Sequence, residues 1–330
     1  VTVAVIELMD VAKTFTVTVR AGRLRRARRE VRAVDGVSLS IDSGSMVGYI
    51  GPNGAGKSTT IKMLTGILVP SAGVVRVAGL DPSRDRVGVA RRIGVLFGHR
   101  TQLWWDLPLA ESFTLLRHVY RVPADRFDAN LARFRELLRL DELLHVPVRQ
   151  LSLGQRMRGE LAAVLLHDPA ILFLDEPTIG LDPVSKEAVR TVLVALNQER
   201  GTTVLLTTHD LVDVERLCER LVIIDHGRVI EDSTVAAIKE RYGIDRTLVV
   251  DLEVPGPPLR VAGAEVTKVE GPRQWLRFRR DELTAAALLE RVAAEAPIRD
   301  LSVEEPAIEN IVRAIYSDAE RTSGAGDPPS

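Results

Sequence analysis

Gly51-Pro52-Asn53-Gly54-Ala55-Gly56-Lys57-Ser58 is the stretch on which the fold of this chain turns. It satisfies the pattern Gly-x4-Gly-Lys-Ser/Thr in full, directly after an apolar run at 46–50 and directly before a helical pattern at 59–65. Glycines let the backbone curl so that successive N–H groups point at one anion, and the helix that follows turns its positive end to the same place. Lys57 can then reach the β and γ phosphates of a nucleotide, and the Ser58 hydroxyl can ligate Mg²⁺.

Working outward, short apolar runs recur at 170–174 and 203–206, each followed by polar or glycine-rich sequence and then a helical pattern. Continuous apolar runs, in place of strict alternation, indicate strands buried on both faces of a parallel sheet in an α/β fold, with functional residues at their C-terminal ends. Ile171-Leu172-Phe173-Leu174-Asp175-Glu176 puts two acids at such an end. Asp175 is placed to hold Mg²⁺ through water, and Glu176 faces elsewhere, where it can polarise an attacking water as general base. Adjacent acids at a strand end are ordinarily a solvated loop; here the glycine loop gives them their reading.

The rest of the chain follows from the same patterns. Residues 1–8 and 34–41 read as strands, the second from the alternation of Val37, Leu39 and Ile41 with Ser38 and Ser40. Between them lie seven arginines, Arg20, Arg23, Arg25, Arg26, Arg28, Arg29 and Arg32. They read as a solvated hairpin tip or short insertion, or else as a surface for anionic headgroups or a partner's acidic face. From about 106 to 145 the pattern turns helical, with Asp106 as N-cap and Pro108 in the first turn, which predicts a helical subdomain at about 100–168. After about 244, strands at 248–254, 275–278 and 298–303 alternate with helices at 281–294 and 307–316, interrupted by Pro255-Gly256-Pro257-Pro258. The expected division is a sheet domain at 1–243, a small α/β accessory domain at 244–316 and a disordered tail at 317–330.

Composition narrows the classes. The 330 residues amount to about two domains at roughly 150 each. Lys and Arg number 44 against 45 Asp and Glu, and aromatic residues are 4% of the chain. Such a balance gives no basic field for wrapping duplex DNA and few platforms for stacking single strands, so no nucleic acid partner is expected. No apolar run is long enough to span a bilayer. One cysteine, Cys218, excludes an internal disulfide framework, and Glu7, Asp10 and Lys13 stand where a signal peptide carries its apolar run, so a reducing cytoplasm is expected. Cys218 shares helical spacing with Leu211, Val214 and Leu221 and reads as a core thiol. His118, His145, His167 and His226 lack metal-ligand spacing, and no metal beyond Mg²⁺ is expected.

Leu151-Ser152-Leu153-Gly154-Gln155 resembles the LSGGQ signature of the ATP-binding cassette ATPases, with Leu153 in place of its first glycine. Gly180-Leu181-Asp182 is similar to the family's D-loop, and Thr207-Thr208-His209-Asp210 to its switch histidine at a strand end. Four ordered motifs carry this resemblance, over about residues 1–240. It implies a cassette fold, a mixed sheet core with an inserted helical subdomain, that hydrolyses ATP with Mg²⁺. Catalytic roles fall to Lys57, Glu176, His209 and His99, and metal binding to Ser58 and Asp175. Nucleotide contacts fall to Gly51 through Ser58 (Gly51, Pro52, Asn53, Gly54, Ala55, Gly56, Lys57, Ser58), to Thr59, and to Ser152, Gly154, Gln155 and Asp182. Phe15 corresponds to the aromatic residue that stacks on adenine, core packing being the alternative for a Phe at a strand end.

One departure stands out. Where the family carries a glutamine after the strand at 93–97, this chain has His99, with Gln102 three residues on; either can fill that role. Trp104-Trp105 follows, in the region where family members meet their membrane partner; tandem indoles cannot share one face of a strand, so one is expected to pack in the core and at least one to anchor a partner. Phosphate loop and signature serve opposite faces of the nucleotide in this family, so two chains are implied: a homodimer or a heterodimer with a related ATPase. The partner implied is an integral-membrane permease, with this subunit peripheral on the cytoplasmic face of the membrane. The stretches at 97–108, 151–158 and 301–312 resemble cassette proteins of drug- and viologen-exporter type, which implies export. Cassettes acting on nucleic acid or ribosomes are the alternative class, supported only by the arginine run.

Overall fold

The computed structural model describes residues 3–20, 26–98 and 100–324. His99, Arg23, Arg25 and the last six residues, 325–330, lie outside them. The chain divides into two compact units, Val1–Ser233 and Thr234–Ser330.

The first unit opens with β1 (Ala4–Arg20) and β2 (Arg26–Asp42), paired antiparallel along their length as a ribbon, then β3 (Met46–Ile50), helix α1 (Lys57–Leu64), β4 (Ala72–Val77), α2 (Arg86–Ala90) and β5 (Ile93–Phe97). The arginine run is therefore strand on its described side, where Arg28, Arg29 and Arg32 are exposed. Three helices follow, α3 (Leu109–Tyr120), α4 (Ala124–Leu137) and α5 (Leu153–Leu165), which form the helical subdomain. Asp106 does not cap α3 as its position suggested: Pro108 stands at the N-cap, and Asp106 pairs with Arg149 at 2.8 Å. The unit closes with β6 (Ile171–Asp175), α6 (Pro183–Arg200), β7 (Thr203–Thr207), α7 (Leu211–Leu217), β8 (Arg220–Asp225) and β9 (Arg228–Thr234).

Two sheets result. One has the order β5-β6-β7-β3-β8-β9, parallel from β5 through β8; the other, β2-β1-β4, is antiparallel. Every residue of β3 and of β7 is buried, as the continuous apolar runs require of strands covered on both faces. Tyr49, Ile61, Phe173 and Leu205 join Ile6, Val37 and Ile41 in one core cluster between the sheets and α1. Three strand ends, those of β3, β6 and β7, thus lie side by side, which positions the site. Cys218 is a core residue, and burial pushes its thiol up to about 12.

The second unit holds α8 (Val235–Tyr242), the antiparallel sheet β11 (Ala264–Glu270), β12 (Arg273–Arg279), β10 (Asp245–Leu252), β13 (Ile298–Glu304) in that order, and helices α9 (Ala285–Glu295) and α10 (Ile308–Gly324). Its boundary falls ten residues earlier than the sequence suggested, because α8 packs on α10 within this unit. Helix α10 also runs through residues 317–324, where a tail was expected. β11 escaped the sequence reading because nearly all of it is exposed, which leaves little apolar alternation to see. Leu248, Val250, Leu276 and Phe278 meet Leu288 and Val292 of α9 in a separate small core.

Candidate functional site

The loop between β3 and α1 curls because its glycines permit it. Gly56 adopts φ 107°, and a Cβ there would come within 2.4 Å of the Ala33 carbonyl oxygen on β2. Only glycine lets the ribbon approach the loop this closely. Lys57, 7% exposed, folds back so that Nζ donates to the carbonyls of Gly51 at 2.6 Å and Pro52 at 3.1 Å. Burial pulls its pKa below the ordinary lysine value, and the charges of Glu176 and Asp175 oppose that pull. An ammonium whose acceptors are loop carbonyls is placed to exchange them for phosphate oxygens.

A cavity of about 370 Å³ lies beside this loop, lined by Asn53, Gly54, Gly56, Lys57, Ser58 and Thr59 from the loop and α1, by Ala33, and by Asp175, Glu176 and His209. Asp175 accepts from the Thr207 hydroxyl at 2.6 Å, which fixes its carboxylate at the end of β6. Glu176 sits in the left-handed region at φ 57°, a costly backbone for a non-glycine residue that is held by its N–H on the Thr207 carbonyl at 3.0 Å. Its Oε2 accepts from the His209 backbone N–H at 3.2 Å. Its Oε1 lies 3.2 Å from His209 Nε2, buried and outside hydrogen-bonding geometry. Both acids and the histidine therefore line the cavity beside the glycine loop.

Signature and D-loop residues lie elsewhere in the same unit. Ser152 caps α5 in a reciprocal pair: its Oγ accepts from Gln155 N at 3.2 Å, and Gln155 Oε1 accepts from Ser152 N at 2.9 Å. Asp182 caps α6 by accepting from the amides of Val184 and Ser185, both at 3.0 Å, and from the Ser185 hydroxyl at 2.6 Å, which holds its carboxyl below the usual range. Gly154 lies where a Cβ would stand 2.6 Å from Ser185 Oγ and 3.2 Å from Asp182 Oδ2, so the signature needs glycine there for the D-loop to pack. Ser152, Gln155 and Asp182 line a second cavity of about 900 Å³ together with Arg139, Arg158 and Ser185. The two cavities have no lining residue in common.

Phe15 lines neither cavity; it is half-buried on β1 opposite Val31, with Lys13 Nζ 5.4 Å above its ring. Gly51, Pro52 and Ala55 belong to the loop but do not line the cavity. His99 lies outside the described residues, and the Gln102 backbone N–H donates to Glu160 at 3.3 Å. Trp104 and Trp105 are both exposed, so neither packs in the core as expected of one of them, and Arg156 lies 5.7 Å above the Trp105 ring.

Sequence reasoning missed two buried acids. Asp213 accepts from the Thr178 hydroxyl at 2.6 Å and Arg190 Nε at 2.6 Å, tying the segment after Glu176 to α7. Glu160, 5% exposed, stands among Met157, Leu161 and Val164 on the buried face of α5. Burial pushes its pKa up against the hydrogen bonds of Thr101, Gln102 and Leu103. For Glu160 the available signal was a lone acid leading into the apolar stretch 161–166; Asp213, with Asp210 and Glu215 beside it, carried no such signal.

Parallel strands ending in a glycine loop and paired acids, with helices inserted after β5, place the chain among the phosphate-loop ATPases. Residues 34–179 match the family model described as ABC transporter. The chain is 34% identical over 303 residues to the daunorubicin resistance ATP-binding protein DrrA3 of Streptomyces coeruleorubidus, covering 89% of this chain and 94% of that protein. It is 37% identical over 237 residues to the Nod factor export ATP-binding protein I of Paraburkholderia xenovorans, covering 71% and 76%. A solved dimeric ATP-binding cassette, MJ0796, in a post-hydrolysis state bound to ADP and Pi, superposes with a TM-score of 0.59 at 27% identity, covering 70% of this chain and 98% of that one. The chain belongs to the ATP-binding proteins of ABC transporters, and it is an ATPase.

Proposed function

We propose that this subunit dimerises on ATP, with a second copy or a related cassette, and so drives a separate membrane permease from the cytoplasmic face of the membrane, exporting drugs or other small molecules. The observation that carries the dimer is the division of nucleotide-facing residues between two cavities without a shared lining residue. One chain then supplies the phosphate loop, and the partner subunit's Ser152, Gly154, Gln155 and Asp182 close over the γ-phosphate. The dimeric form of the solved cassette supports this arrangement. Export follows the names of the relatives, which are a drug-resistance and a Nod factor export protein.

The roles of the cavity residues follow from their place, and that of Phe15 from the family resemblance alone. The amides of residues 51–58 and Thr59 wrap the phosphates, Lys57 exchanges its two carbonyl acceptors for β and γ oxygens, and Phe15 offers a ring face to adenine. Ser58 and Asp175 line one cavity beside Lys57 and fit as holders of Mg²⁺, which when bound offsets phosphate charge. Glu176, which lines the cavity beside His209, accepts a hydrogen bond from the attacking water, and His209 donates toward the γ-phosphate.

Glu176→Gln tests both parts. The amide cannot take up a proton, so turnover is expected to fall at least about 100-fold while an ATP-bound dimer accumulates in light scattering. A variant that remains monomeric in ATP and hydrolyses at the parent rate would overturn the assignment. Reconstitution with its membrane permease decides direction: ATP-dependent uptake in place of efflux would remove export.

A further inference from the structure

A short segment after β5 bridges two places that the reaction has to coordinate. At one end Gly98 donates its N–H to the Asp175 carbonyl at 2.8 Å, and a Cβ on Gly98 would come within 2.5 Å of the Glu176 carbonyl oxygen. Its backbone thus lies directly against the acidic pair. At the other end the segment is held by one carboxylate, Glu160 of α5. Glu160 Oε1 accepts from the Thr101 hydroxyl, and Oε2 accepts from the Gln102 backbone N–H at 3.3 Å. Thr101 Oγ1 in turn accepts from the Leu103 N–H at 3.1 Å, and Leu103 is buried. Glu160 sits two turns along the helix that Ser152 caps, so the signature and this carboxylate belong to one rigid element.

A carboxylate buried at this depth is costly unless it is satisfied, and its partners come from this segment. An alanine or leucine at this position would suit the buried face of α5; the acid there instead makes hydrogen bonds that leave the helix. We propose that Glu160 is a positioning residue: it latches residues 101–103 to the signature helix, so that movement of that helix is passed through the segment to the backbone of Asp175 and Glu176. The latch sets when the acids are aligned for hydrolysis and leaves nucleotide binding by the phosphate loop untouched. It rests on the reading that Glu176 orients the attacking water.

Amide hydrogen exchange and ATPase kinetics on the full chain test it with three variants, Glu160→Ala, Glu160→Gln and Thr101→Val. Peptides covering 97–105 should exchange slowly in the parent chain and at least about tenfold faster in Glu160→Ala and Thr101→Val. In both, kcat should fall about tenfold or more while KM for ATP stays within about twofold. Glu160→Gln keeps one acceptor oxygen and should recover part of the loss in both measurements. Thr101 is exposed, so Thr101→Val keeps the test open if Glu160→Ala fails to fold. Unchanged exchange at 97–105 would overturn the latch, and faster exchange with parent kcat would overturn the coupling. A parent chain that hydrolyses no ATP would instead refute the functional reading, and the exchange arm would still decide the latch.

Discussion

The phosphate cavity and the signature cavity of the first unit are built on opposite plans. Around the phosphate loop, fully buried parallel strands deliver their ends to one point, and the charged groups there are held by backbone: Lys57 on two loop carbonyls, and Glu176 between Thr207 and the His209 amide. Around the signature, helix surfaces form the walls, and the polar groups are turned upon their own helices. Ser152 and Gln155 satisfy each other, and Asp182 satisfies the first turn of α6. The first cavity gathers a buried ammonium and two acids beside the glycine loop; in the second the signature and D-loop side chains are capped onto their own helices, while Arg158, which also lines it, keeps a buried Nε without a hydrogen bond. That difference fits the proposed division of labour, in which the phosphate loop of one chain holds the nucleotide and the signature acts on the nucleotide of a second chain.

The largest test of the comparison is Lys57→Ala. Removing the one buried ammonium costs a charge-assisted contact to phosphate, so ATP affinity should fall about 100-fold in a fluorescent-nucleotide titration. Gly154→Ala probes the other cavity with a smaller expected effect. Alanine ordinarily stabilises a helix relative to glycine by about 1 kcal/mol, so any loss must come from the Cβ meeting Ser185 and Asp182. Turnover should drop about tenfold with ATP affinity within about twofold of the parent. If Gly154→Ala weakened ATP binding as much as Lys57→Ala, the two cavities would not be separate halves and the comparison would break.

The same contrast governs how much could be read from sequence. Gly51 to Ser58 and the pair Asp175-Glu176 were legible because each is a contiguous stretch whose chemistry depends on local backbone geometry and a buried strand before it. Ser152, Gly154 and Asp182 were legible only through resemblance, since a capped helix start has the same residues whether or not it meets a phosphate. What the sequence hid was long-range. Ala33 reaches the phosphate cavity only because β2 crosses the loop at Gly56, and Glu160 finds Thr101 and Gln102 from 59 and 58 positions away. The domain boundary moved for the same reason: α8 belongs with α10, a pairing that periodicity cannot show.

The smallest expected effect concerns the seam between the helical subdomain and the sheet. His167, just past α5, stacks on Tyr120 of α3 with ring centroids 4.0 Å apart, and its Nε2 donates to the Ile93 carbonyl of β5 at 2.9 Å. Its Nδ1 is buried with no partner, so a second proton there would be an uncompensated charge; burial holds the pKa below the ordinary histidine value, with Arg126 adding to the fall and Asp168 opposing it. A folded pKa below the unfolded one means that the unfolded chain binds more protons as pH drops through about 6.5, so stability is lost on acidification and regained above it. The slope from one proton is at most about 1.4 kcal/mol per pH unit. Denaturant midpoints measured at pH 5.5 and 7.5 should therefore converge in His167→Gln, whose amide can still donate to Ile93 but cannot be protonated. Because the group pins α3 to the strand that leads into residues 98–103, the acid-labile part should be the signature half, visible as faster amide exchange in α3 and α5 than in α1 at the lower pH. Equal loss in α1 would mean that acid loosens both halves alike, and the contrast between a strand-held and a helix-held cavity would not extend to stability.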